Sequence, residues 1–324
     1  VSSLSTASTG ATQQFGRLFS LLVSDSQGRT VDLSKFRVKF NVKKSGYQTP
    51  NVADILIYNL DTSTAIFLKQ EFTSVILQAG YAGNFGTIFK GNIKQAIIGR
   101  ESATDTFLNL ICGDGDQAYN FSVVNTTLGS NKAGGSTQAA QLDAAINSMG
   151  AHNVSPGYVG ALPALKLPRG KVMYGNARDY ISAVSDTNNL NWSIQDGNII
   201  VIPESTYLPN QAVILTTKTG LIGTPQQTIE GIMCKCLLNP KIKCHTRVQI
   251  DNKAVAQFKI DFSTPGSPAN TPVPILNDGY YFVLVAEHSG DTRGLEWYTN
   301  LRMLTIDVSD NPLNDGGVQP NYGS

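Results

Sequence analysis

A chain of 324 residues, 41% of them hydrophobic, has room for about two or three compact domains and lacks the composition of a disordered protein. Only 15% of the residues are charged, against about 25% in typical soluble domains, and the net charge is +1. With no long basic or acidic run nothing marks a nucleic-acid binder, no apolar stretch approaches the ~20 residues of a membrane-spanning helix, and the weakly charged surface suits one covered by partner subunits.

Residues 1–14 are rich in Ser, Thr, Ala and Gln, with neither a charged nor an apolar region of the kind a signal peptide needs. A flexible arm is expected there, on a chain made and kept in a cytoplasm until assembly. Residues 15–126 are predicted to be β-rich. Phe36 to Lys43 alternates apolar and polar, as a strand with one wet face does. Asp54–Tyr58 and Ser74–Gly80 read as buried strands, and between them Asp61 caps a short helix through Lys69, with Ala65, Ile66 and Leu68 as packing residues. Gly80 to Gly86 is a turn into a strand from Thr87, and a further strand runs from Thr106 to Cys112 after the polar bend Arg100–Asp105.

The pattern changes over residues 127–205, where a mixed α/β insertion is expected. Gly129 to Ser136 reads as a linker. Leu142, Ala145, Ile146 and Met149 share one helical face, closed by Gly150 as C-cap. Ala151–Leu167 reads as loop, and a second helix begins at Ala177 with Tyr180, Ile181 and Val184 inward. Trp192–Ile194 and Asn198–Ile202 form a hairpin turned by Asp196-Gly197, a pair suited to a type I′ turn. Residues 206–310 return to β character. Gly231–Leu238 and Thr246–Ile250 flank a bend at Pro240, Ser263–Pro274 is an exposed loop, and Gly279–His288 pairs with Glu296–Asp307. Residues 311–324 read as a flexible tail.

One internal similarity suggests duplication. Phe107-Leu108-Asn109-Leu110-Ile111-Cys112 closes the first β region, and Tyr298-Thr299-Asn300-Leu301-Arg302-Met303 closes the second, with aromatic, Asn, Leu and sulfur-bearing residues in register. The fold class expected is therefore mainly β with an α+β insertion: two β-barrels plus a small α/β domain.

No constellation marks an enzyme, and no catalytic, cofactor-binding or metal residue is assigned. The histidines are His152, His245 and His288, and neither a Gly-x-Ser-x-Gly elbow nor a His-Glu-x-x-His helix is present. His288-Ser289-Gly290-Asp291 is read as a hairpin tip, with Asp291 and Gly294 bending the chain and Arg293 pairing locally. Cys234, Cys236, Cys244 and His245 come nearest to a metal cluster. Cys-x-Cys is not the usual zinc knuckle, so buried free thiols are expected, as for Cys112. Asp114-Gly115-Asp116 is too short for a calcium loop. Gly80, Gly83 and Gly86 lead from strand to strand and lack the helix N-terminus of a phosphate site.

Four segments resemble the baseplate hub proteins of contractile-tailed phages, the group that includes late control protein D and the first part of the VgrG spike. They are Val75-Ile76-Leu77-Gln78-Ala79-Gly80-Tyr81 with Phe89-Lys90-Gly91, Leu167-Pro168-Arg169-Gly170-Lys171-Val172 with Tyr174-Gly175, Thr219 to Pro225 with Leu237-Leu238-Asn239-Pro240, and His288 to Gly294 with Glu296-Trp297. Together they span about Phe15 to Asp307. The resemblance implies a homotrimer whose chains each carry two barrels of tail-tube type. Six similar units would then seat a sixfold tube above and a threefold spike below, with the insertion gripping the spike or other baseplate proteins. It implies a virion location in the tail baseplate, assembly in the host cytoplasm, and no cofactor, membrane or specific nucleic-acid partner. Rival readings are a tube-initiator or spike-proximal protein of a phage-derived particle such as a tailocin, a glycan- or peptidoglycan-binding module using Trp192 as a stacking platform, and a hydrolase with an unrecognised site.

Overall fold

The computed structural model describes residues 15–129, 137–163, 169–204, 206–209, 212–228, 231–251, 255 and 279–306. The arm, most of the 129–136 linker, Leu167-Pro168, the 263–274 loop and the tail lie outside the described residues.

The first β region comprises β1 (Arg17–Asp25), β2 (Thr30–Asp32), β3 (Val38–Ser45), β4 (Val52–Tyr58), α1 (Thr62–Glu71), β5 (Phe72–Tyr81), β6 (Asn84–Arg100) and β7 (Thr106–Gly113). Alternation in β3 buries Val38, Phe40 and Val42 on one face. Asp61 caps α1 as expected, accepting from the N–H groups of Ser63 and Thr64. Ala65 and Leu68 pack inward, whereas Ile66 is exposed, because the short helix has only one covered side.

The next stretch comprises α2 (Asp116–Phe121), β8 (Val123–Leu128), α3 (Gln138–Met149), β9 (Ser155–Val159), β10 (Lys171–Asn176), α4 (Ala177–Thr187), β11 (Leu190–Gln195) and β12 (Asn198–Pro203). The four predicted residues of α3 are all buried. Gly150 is the C-cap of α3 as expected, in right-handed geometry. Its φ is −57°, a 3₁₀ turn follows over Gly150–His152, and Asn153 takes the left-handed conformation at φ 61°. Within the span read as loop, β9 pairs in parallel with β12. Asp196 and Gly197 have φ of 56° and 79°, the two positive values that a type I′ turn demands.

The last region comprises β13 (Val213–Leu215), β14 (Leu221–Thr228), β15 (Gly231–Leu237), β16 (Arg247–Ile250), β17 (Tyr280–Asp291) and β18 (Trp297–Thr305). The fold is mainly β with a small α/β part. The two β regions are halves of one 13-stranded sheet, ordered β14-β15-β18-β17-β3-β4-β7-β6-β5-β1-β2, with β13 and β16 attached at β17. Each half wraps its own apolar core: one is built on Leu21, Ile55, Leu77 and Leu110, the other on Ile232, Cys236, Tyr281 and Met303. A third core, with Leu142, Ile181 and Trp192, lies in the α/β part.

Candidate assembly surface

β7 and β18 occupy equivalent places. β7 lies between β4 and β6, and β18 lies between β15 and β17. Leu110 faces Ile55 on one side and Ala96 on the other; Leu301 faces Cys234 and Ala286. The similarity between these strands thus extends to their burial, with Leu108, Leu110 and Cys112 matched by Thr299, Leu301 and Met303 on the covered face.

The neighbouring ladders carry a bulge at the same step. One falls between Ile93 and Gln95, the other between Val283 and Val285. Beyond it, Asn92 faces Ser74 in β5, and Phe282 faces Arg247 in β16. Asn92, Ile93, Gln95 and Ala96 therefore correspond in order to Phe282, Val283, Val285 and Ala286. The antiparallel unit β3-β4-β7-β6-β5 repeats as β14-β15-β18-β17-β16. The copies diverge at their next strand, since β1 joins β5 antiparallel whereas β13 joins β16 in parallel.

The two units are joined edge to edge. β3 pairs with β17 from Lys39 opposite Asp291 to Ser45 opposite Val285. Since β4 takes its other side, β3 is an interior strand of the sheet, with no open edge. The junction is pinned by side chains at one end. Arg37 pairs with Asp291 at 2.8 Å, and Asp291 also accepts from the Arg293 N–H. The expected local charge partner Arg293 is thus replaced by a residue of the first β region. Arg17 donates to the carbonyls of Gly294 and Leu295 at 2.7 and 3.0 Å. Phe19 and Phe40 pack on Trp297, drawing the first residue of β18 into the first core.

At the other end of β3 the α/β part docks through buried polar groups. Lys44, fully buried, bonds Asp196 in the β11–β12 turn, and Lys243 reaches the other oxygen of Asp196 at 2.9 Å. Burial opposes ionisation of Asp196, but Lys44 and Lys243 outweigh it and hold the carboxyl below its ordinary value. Asp114 accepts from the backbone N–H groups of Asp196 and Gly197. Burial, and then Asp196 beside it, pushes Asp114 up to about 7. Asn51 ties the same turn to β3, accepting from the Ser45 N–H at 2.8 Å and donating to the Ile194 carbonyl at 2.9 Å. Sequence reading missed this knot, because Lys44 and Asp196 are far apart in the chain and each resembles an ordinary surface charge.

The residues weighed for chemistry are dispersed. His288 lies within β17 rather than at a hairpin tip, with Nδ1 at 2.9 Å from Thr299 Oγ1, and burial followed by nearby Lys44 pushes it down to about 3. Cys234 and Cys236 do share a face, in the core of the second half, while Cys244 lies near Lys44 and Asp196. Burial pushes the thiols of Cys112, Cys234 and Cys244 up to about 12, and that of Cys236 upward too. No group of three His, Cys, Asp or Glu side chains suited to a metal occurs among the described residues. Trp192 is buried, stacked on Tyr119 and donating to Ser182 Oγ at 3.1 Å, so it presents no face to a sugar. A cleft of about 760 Å³ between the α/β part and the second half has Glu204 as the one ionisable residue among those described around it.

Three solved structures share this architecture. The 43 kDa tail protein of prophage MuSo2 from Shewanella oneidensis superposes with a TM-score of 0.54 at 8% identity, over 90% of this chain and 98% of that one. A tail protein from Neisseria meningitidis MC58 gives 0.54 at 10% identity, over 89% and 96%. The fold is a tail-protein fold. The E. coli c3393 protein, a type VI secretion component described as structurally similar to T4 bacteriophage tail proteins gp27 and gp5, matches with a TM-score of 0.51 at 9% identity, over 84% and 74%. No family model and no curated protein sequence matches the chain, so the tail-protein fold rests on backbone architecture alone.

Proposed function

We propose that this chain is a structural, non-enzymatic component of a phage-type contractile tail: a trimeric baseplate hub that joins a sixfold tail tube to a threefold central spike. The observation that carries the reading is the internal repeat. Two five-stranded units with the same strand order and the same bulge are joined head to tail in one sheet. A trimer of such chains presents six similar units, which resolves the mismatch between a sixfold and a threefold neighbour. In this reading the β regions up to Gly113 and from Val213 onward are the tube-like units, and the α/β part between them, which takes in α2 and β8, faces the spike or other baseplate proteins. The burial of Trp192 and the dispersal of histidines and thiols favour a structural role over a glycan-binding module or a hydrolase.

The decisive measurement is mass and symmetry of the purified protein by light scattering and electron microscopy. A closed ring of three chains with a six-unit face is expected. A stable monomer that binds or cleaves cell-wall fragments overturns the proposal.

A further inference from the structure

β8 and β10 form a two-stranded antiparallel ribbon in the α/β part, and burial alternates along both strands. Val124 and Met173 turn inward, into the core that holds Leu142 and Ile181. The outward positions carry Val123, Asn125 and Thr127 on β8, and Val172 and Tyr174 on β10. Phe121, two residues before Val123, continues the alternation past buried Ser122. Phe121, Val123, Val172 and Tyr174 are 67%, 52%, 72% and 75% exposed. An antiparallel pair with one wet face alternates apolar and polar residues. Val123-Val124 and Val172-Met173-Tyr174 are instead apolar toward both faces, as strands covered on both sides are. Such large apolar side chains gathered on one ribbon mark a surface for a partner.

We infer that this outward face meets the same face of other copies of the chain about the threefold axis. The inference rests on the trimer proposed above and adds a surface through which its α/β parts join. Charge selects the occupant. A contact around a symmetry axis brings each side chain close to its own counterparts, so a charge on it would meet a like charge. None of the outward residues is charged. Lys171 and Arg178, beside the ribbon, are engaged within the α/β part. Lys171 donates to Gln141 Oε1 at 2.6 Å, and Arg178 stacks over Tyr119 and donates to Asn120 Oδ1 at 3.3 Å. A nucleic acid or an anionic lipid surface would find no cation among these outward residues.

The contact is made by side chains. The Tyr180 hydroxyl accepts from the Tyr174 N–H at 3.0 Å and donates to the Tyr174 carbonyl at 3.3 Å, which closes this point of the β10 edge to a further strand. Across the ribbon Tyr174 faces Asn125, and Val172 faces Thr127. Aromatic and aliphatic anchors thus stand beside uncharged hydrogen-bonding groups, the composition of the centre of a protein interface.

Two variants of the full chain test the inference. Val172→Ser/Tyr174→Ser is expected to keep the parent melting temperature while weakening association of copies at least about 100-fold in light scattering over a concentration series. Asn125→Cys sets one accessible thiol in the middle of the face, since the native thiols are all buried. Its reaction with a maleimide is expected to be at least about tenfold slower in the assembled oligomer than in the dilute monomer, because access is lost. Unchanged association of the double-serine variant, or an introduced thiol that reacts at the monomer rate in the oligomer, overturns the inference. Either result gives the face to a different protein and leaves the hub reading standing. A parent chain that stays monomeric at every concentration overturns both. The thiol variant keeps Val172 and Tyr174 in place and so decides independently of the double-serine variant.

Discussion

Lys44 has its ammonium buried, a position that costs several kcal/mol unless the charge is met at close range. Asp196 meets it from a turn whose positive φ values hold the carboxylate at the tip, with Lys243 on its other oxygen. Asp196→Ala is expected to destabilise the protein in chemical denaturation, by up to about 3–5 kcal/mol, because it removes the carboxylate in direct contact with buried Lys44. His288, opposite Val42 on the neighbouring strand β17, supplies a pH signature. Its folded value near 3 lies below the ordinary 6.5, so the unfolded chain takes up a proton that the folded chain refuses. Stability from this group is full above about pH 6.5 and is lost as the pH falls toward 3. Asp114, raised to about 7, works the other way, its contribution fading as the pH rises through that value. In melts taken from pH 7 down to pH 4, about the range of these titrations, His288→Gln should gain steadily on the parent protein. A constant difference between the two would show that His288 is not the proton-linked group.

Among elements, those whose pattern depends on near neighbours were legible. The alternation of β3, the Asp61 cap, the helical face of α3 and the Asp196-Gly197 turn each follow from a few adjacent residues and appear as expected. β1 was missed, since Leu21, Leu22 and Val23 run together without the alternation that marks a strand with one wet face. Gly150 closes α3 as expected, while the left-handed residue that ends the following 3₁₀ turn is Asn153, since Asn also tolerates that geometry. The association of β18 with the first core was invisible in sequence, although it couples the halves. Trp297 packs on Phe40 at 5.4 Å and donates to the Gly80 carbonyl at 3.4 Å. Trp297→Ala should cost about 3–5 kcal/mol and lower the urea midpoint of the first half together with that of the second. Loss confined to the second half would contradict the coupling.

At the scale of the molecule, edge pairing has a consequence for assembly. A strand left open at a sheet edge is a hazard in a monomer, and the first unit's β3 is protected by β17 within the chain. On β6 the stretch Gln95–Arg100, with Ile97 and Ile98 exposed, pairs with β7 on one side and with no strand among the described residues on the other. Backbone ladders need no charge complementarity, consistent with a chain only 15% charged.

By itself the sequence determined the β-rich class, the α/β interruption, the local caps and turns, and a duplication faintly visible in Phe107–Cys112 and Tyr298–Met303, because these depend on periodicity and nearest neighbours. Only the tertiary structure decided that the two β regions share one sheet, that β3 pairs with β17, that Arg37 meets Asp291, and that Lys44, Asp196 and Lys243 form one buried knot. Such contacts join residues separated by large parts of the chain. Their partners are chosen by strand register and burial, which no local pattern encodes.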